Sequence, residues 1–119
     1  MRTIFKTLAT IAVLNPEGYT VNARTLEPIT QGYSVAVQGT QNSFGDAGLQ
    51  RVIDYQAMHP ECSAFGGWLN TKNGLYYYDA CIIVSTKSEA IALAKANKQI
   101  SFFCLHELQE YNADGTKRI

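Results

Sequence analysis

The chain has 119 residues, 46% of them apolar, which suits one domain with a core of its own. Ten Lys and Arg balance ten Asp and Glu, so the overall charge gives no footprint for duplex nucleic acid, whose phosphates demand a basic face. No apolar run reaches the roughly 18 residues of a membrane-crossing helix.

Ile4, Phe5, Leu8, Ile11 and Ala12 recur at helical spacing, which predicts an amphipathic helix over residues 3–13. Arg2 and Lys6 precede or enter an apolar stretch, but Thr interrupts it and no small-residue cleavage site follows. The segment is therefore expected to be helix rather than a secretory signal. Asn15-Pro16-Glu17-Gly18 ends it. Gly18-Tyr19-Thr20-Val21 and Gly32-Tyr33-Ser34-Val35 echo each other and read as two strands joined by Arg24–Thr30, with Pro28 limiting how early the second is fully paired. Residues 39–45, GTQNSFG, invite comparison with a phosphate-binding loop but lack its Gly-Lys-Ser/Thr ending, so a plain strand-to-helix connection is expected. Ser43 or Asp46 is the expected cap of the next helix, whose apolar face is Leu49, Val52, Ile53 and Ala57 and which Pro60 ends.

The stretch from Ser63 to Leu105 carries the clearest signals. Two extended runs flank Thr71-Lys72-Asn73-Gly74, and Asn-Gly favours a hairpin because both residues tolerate positive φ. Gly66-Gly67 within the first run suggests a bulge or a close backbone approach. Leu75–Val84, rich in aromatic and β-branched residues, reads as a long central strand. Thr86 with Glu89 three residues on forms a capping box, and Ala90, Leu93, Ala94 and Asn97 share a helix face, with Asn97 as the stop. Ile100–Leu105 is then a strand, completing a β-α-β unit. His106–Tyr111 adds a short edge strand, and 112–119 reads as a polar, frayed tail.

The order α-β-β-α-β-β-α-β predicts an α+β two-layer sandwich: a mixed or mainly antiparallel sheet with helices mostly on one face. The pattern Gly66-Gly67-Trp68, Gly74, Tyr76-Tyr77-Tyr78-Asp79, then Glu89-Ala90-Ile91, Leu93-Ala94-Lys95, Asn97 and Gln99 resembles small accessory proteins of phages and bacterial conjugative elements, including those of gut Bacteroides-type bacteria. The resemblance covers about residues 17–110. It implies a bacterial mobile-element protein and carries no site residue, cofactor or activity to this chain.

Asp79 stands out because aspartate is depleted in strands. If buried, its charge must be paired or its pKa must rise, so it is either a fold-satisfied carboxylate or a general acid/base. Cys81 shares its face, and Cys104 and His106 repeat the same spacing. Convergence of the two pairs would suit zinc or a thiol nucleophile, but no CxxC or HExxH spacing supports it, and no metal or cofactor is expected. Trp68, Tyr76 and Tyr78 are the candidate binding residues, with Tyr77 on the opposite face. Core packing is the plainer role for these rings. His59 reads as a helix-end residue. Cys62, Cys81 and Cys104, an odd number, fit free thiols in a reducing cytoplasm.

The expectation is a non-catalytic accessory or interaction protein whose partner is another protein or a second copy of itself. The alternatives are a small enzyme using Asp79 with Tyr or His groups, and a nucleic-acid-associated counter-defence or regulatory protein.

Overall fold

A computed structural model describes residues 4–119. Helix α1 spans Ile4–Leu14, β1 Tyr19–Asn22, β2 Tyr33–Ala36, β3 Ser43–Phe44, α2 Gly45–Met58, β4 Ala64–Asn70, β5 Leu75–Val84, α3 Lys87–Ala96, β6 Ser101–Cys104 and β7 Gln109–Asn112. A single 3-10 turn, Gln38–Thr40, lies between β2 and β3. The expected start of α1 at Thr3 falls outside the described residues.

The fold is α+β, with one seven-stranded sheet in the order β1-β4-β5-β2-β6-β7 and β3 beside the first half of β5. Every pairing is antiparallel. Strand β2 lies between β5 and β6, so the unit β5-α3-β6 is split: its two strands run the same way without touching. Side chains alternate across β5. Tyr78 and Ala80 enter a core with Leu8, Ala12, Val21, Leu49, Val52 and Phe65, beneath α1 and α2. Val35, Phe102, Cys104 and Tyr111 form a second core with Ala90 and Ala94 of α3. All these strand residues share one face by register, so the three helices pack on that face and leave the other without a helix.

The glycine pair of β4 makes a close approach rather than a bulge, since register with β5 is unbroken from Ala64↔Cys81 to Asn70↔Leu75. A Cβ on Gly67 would stand 2.5 Å from the Tyr19 ring and 2.7 Å from the Tyr76 ring. In the hairpin loop Gly74 alone takes positive φ. Asn73 instead accepts from the Leu75 N–H and donates to the Tyr77 hydroxyl.

The capping box of α3 is complete: Thr86 Oγ1 accepts from the Glu89 N–H, and Glu89 Oε1 accepts from the Thr86 N–H. Lys98, not Asn97, takes the left-handed conformation at its end. Asn97 uses its side chain, donating to the Leu93 carbonyl and accepting from the Gln38 N–H. Neither expected residue caps α2, whose N-cap is Phe44 with no side-chain bond. Ser43 is instead drawn into the preceding loop, donating to the Thr40 carbonyl and accepting from Arg51. Asp46 sits in the first turn, where it meets the positive end of the helix dipole. Of the expected α2 face, Leu49 and Val52 are buried, Ile53 is half-buried and Ala57 is exposed. The tail turns back rather than fraying: Asn112 bonds to Thr116, Lys117 bridges Tyr111, and the Arg118 N–H donates to the Glu110 carbonyl. Among the described residues no helix is long and apolar enough to cross a membrane.

Thr86→Ala removes one cap and is expected to cost about 1 kcal/mol. Phe65→Ala empties a site that is 1% exposed and is expected to cost ~3–5 kcal/mol. Urea midpoints check the ranking; equal effects would remove Phe65 from the centre of the core.

Candidate functional site

Asp79 occupies the middle of β5 on the helix-free face, opposite Gly66 of β4. On its other edge β5 has an interruption. Strand β2 pairs as far as Cys81, and β3 takes over only at Tyr78. Between them the chain leaves for the 3-10 turn, and the buried Thr40 hydroxyl accepts from the Ala80 N–H in place of a strand carbonyl. Val37 N–H donates to the Ala80 carbonyl, so the backbone there remains satisfied.

The carboxyl of Asp79 is half-buried rather than enclosed. None of the described residues donates a hydrogen bond to it, and burial raises its pKa from 3.8 to about 7. Cys81, two residues on, is buried, and its thiol is pushed far up by desolvation and then by the Asp79 charge, against a smaller opposing pull from the Ser34 hydroxyl. Its sulfur fills the space a Gly66 side chain would take, 3.2 Å from a Cβ built there. On the helix side, Tyr19 stacks on Tyr76, and its buried hydroxyl lacks a hydrogen-bond partner among the described residues. Burial raises its pKa most, followed by Tyr76 and Tyr78, with smaller effects from Cys81 and Asp79.

Ala64 and Cys81 project from the helix-free face yet are buried. The connection from β1 to β2 has to cross β4 and β5, passing from beside Thr20, where Ile29 bonds, to Gly32 beside Val84. Farther along the same face an aromatic row stays open. Trp68 of β4 stacks on Tyr77 at 5.2 Å between centroids, and Phe44 of β3 lies 5.4 Å from Tyr77 on its other side. Phe44 and Trp68 remain 44% and 45% exposed.

Of the aromatic residues expected to bind, only Trp68 lies in this row. Tyr78 is buried, and half-buried Tyr76 donates its hydroxyl to the Asn15 carbonyl at 2.8 Å. Tyr77 and Phe44 take their places. The hairpin register was the available signal: closing the loop at Asn70↔Leu75 places Trp68 opposite Tyr77. No sequence signal identifies Phe44, because β3 is two residues long and lies inside the polar loop.

The two Cys-containing pairs do not converge. Strand β2 separates β5 from β6, and Cys104 faces the helices while Asp79 and Cys81 face away. His106 instead meets Cys104 and Glu107, a glutamate that no sequence motif marks. His59 stacks on Tyr55 at 3.8 Å, with Nδ1 2.9 Å from the Tyr55 carbonyl, as befits a helix-end residue. The residue 39–45 loop is held by Arg51, whose guanidinium donates to the Gly39 and Gln41 carbonyls and to Ser43. No family model, curated protein or solved structure matches the chain.

The raised pKa of Asp79 fixes a sign. Between pH 3.8 and about 7 the folded state keeps a proton that the unfolded state has released. This group therefore lowers stability as pH rises through that window, by at most ~1.4 kcal/mol for each pH unit. Asp79→Asn is expected to raise the urea midpoint at pH 8, to match the parent near pH 4 and to flatten the slope between. A lower midpoint at pH 8 would show a carboxylate satisfied by its surroundings.

Proposed function

We propose that the chain is a non-catalytic accessory or interaction protein that binds a protein partner, or a second copy of itself, through the Phe44–Tyr77–Trp68 row. The observation that carries this reading is the row itself: three touching aromatic side chains left open on a sheet face without a helix. Aromatic anchors of this kind dominate protein interfaces because they bury large apolar area at small entropic cost. The charge on that face favours protein over nucleic acid. Its strand residues include Asp79 and Glu110 but no Lys or Arg, and the Arg118 guanidinium that reaches Glu110 is paired with it, so the strands themselves present no basic stripe of the kind phosphate contacts require. Three buried free thiols suit a reducing cytoplasm, and the resemblance to mobile-element accessory proteins supplies the bacterial setting.

A second reading, a small enzyme using Asp79 as proton acceptor, is favoured by one observation: an unpaired carboxyl that titrates near neutrality. Two shallow grooves lie elsewhere, one beside Gln31, Ser85 and His106, the other between Ile82, Val84 and Leu93, and neither is lined by Asp79. Since neither groove includes the carboxyl, the interaction reading is the better supported one.

A photo-crosslinking residue at Leu75, exposed beside the row, is expected to capture protein in cells, and the same residue at Lys95 on α3 to capture none of it. Trp68→Ala combined with Tyr77→Ala should weaken the captured complex by at least roughly 30-fold, the equivalent of a 2 kcal/mol hot spot. Capture of nucleic acid alone, or equal capture from both positions, would overturn the proposal.

A further inference from the structure

The turn joining β6 to β7 brings a thiol, an imidazole and a carboxylate together. Cys104 ends β6, His106 and Glu107 occupy the loop, and Leu108, at a φ of 55°, turns the chain back into β7. One potential ligand atom from each of Cys104, His106 and Glu107 lies within 4.8 Å of the others. The Cys104 sulfur is 3.4 Å from His106 Nε2 and 3.6 Å from Nδ1. A tetrahedral zinc ion with bonds of ~2.0–2.3 Å places its ligands about 3.3–3.8 Å apart, so this pair already has the separation of two zinc ligands.

The geometry points to a divalent transition-metal site, zinc or a close analogue, held by Cys104 Sγ, one ring nitrogen of His106 and a carboxylate oxygen of Glu107. A thiolate, an imidazole and a carboxylate select zinc or cobalt over magnesium or calcium, which prefer oxygen alone. The Tyr111 hydroxyl donates to Glu107 Oε1, which orients the carboxylate, and the Cys104 thiol is also within bonding reach of that carboxylate. The Tyr33 ring meets His106 edge-on at 5.6 Å and limits the imidazole's swing. The sulfur is nearly equidistant from both ring nitrogens, so ligation requires the ring to turn and aim one lone pair. His106 and Glu107 are exposed, while Cys104 is fixed and fully buried. The sulfur is thus the anchor, and the two adaptable side chains close on the ion.

Three protein ligands leave a fourth position for water or an incoming ligand. His106 also lines the shallow groove formed with Gln31, Gly32, Ile83, Ser85 and Glu89, which gives that position a route from solvent. The site is independent of the aromatic row: Cys104 belongs to the helix side of the sheet and the row to the other.

Cobalt(II) titration of the metal-stripped full chain tests the assignment. One equivalent is expected to give a sulfur-to-cobalt charge-transfer band with tetrahedral d–d bands, and zinc should displace it and raise the Tm. Cys104→Ser should abolish the charge-transfer band, and His106→Ala and Glu107→Gln should each weaken binding at least tenfold, while Cys81→Ser leaves it intact. The two exposed substitutions decide the matter if Cys104→Ser fails to fold. Absence of the band in the parent, or binding unchanged in both His106→Ala and Glu107→Gln, would overturn the proposal and leave the cluster as a hydrogen-bonded turn.

Discussion

The alternation of side chains along β5 is the constraint on which the rest depends. Leu75–Cys81 pair with β4 on one edge, and on the other Tyr77 and Tyr78 pair with β3 and Cys81–Val84 with β2. A slip of one residue would bury Tyr77 and Asp79 beneath α1 and α2 and expose Tyr78 and Ala80. Register is fixed because the two faces differ so much: Ala80 must be small where helices press on the sheet, and Asp79 cannot be taken into that core. The aromatic row and the unpaired carboxyl are therefore consequences of the same pairing that makes the core.

Gly66 and Gly67 serve that pairing on both faces at once. Gly67 gives its space to the Tyr19 and Tyr76 rings on the helix side, and Gly66 gives its space to the Cys81 sulfur on the other. The result is a sheet that packs closely but offers Asp79 no donor. The backbone opposite has its own strand partners, and a glycine contributes no side chain. Half-buried there, the charged form has lost part of its water and gains no donor among the described residues, which raises the carboxyl's pKa toward neutral.

Local chemistry made much of this architecture legible. The capping box reads directly from Thr86 and Glu89 because its two bonds close within four residues. The long strand, the hairpin loop and the two Gly-Tyr strands follow from runs of β-forming residues and their breakers. What the sequence left open depended on distant pairing. Nothing local places β2 between β5 and β6, yet that insertion separates Asp79 and Cys81 from Cys104 and His106. The choice of Tyr76 and Tyr78 over Tyr77 as surface residues required knowing which face the helices cover. Ser43 looked like a helix cap, and Arg51, more than one helical turn beyond it, holds its hydroxyl in the loop instead.

The two regions with chemical potential differ in how the chain holds them, and the difference decides what each can do. Asp79 sits where β5 is paired with β4 on one edge and, in the gap between β2 and β3, is held on the other by the bonds of Thr40 and Val37 to Ala80, so its backbone position is fixed. Cys104, His106 and Glu107 lie where a strand ends and a short turn begins, with one ligand fixed in the core and two exposed. There the chain can move toward an ion, and the strain of adjustment falls on side chains that carry no part of the core. The sheet thus supplies a fixed acidic and aromatic face, and its last hairpin supplies an adaptable set of ligands on the opposite side.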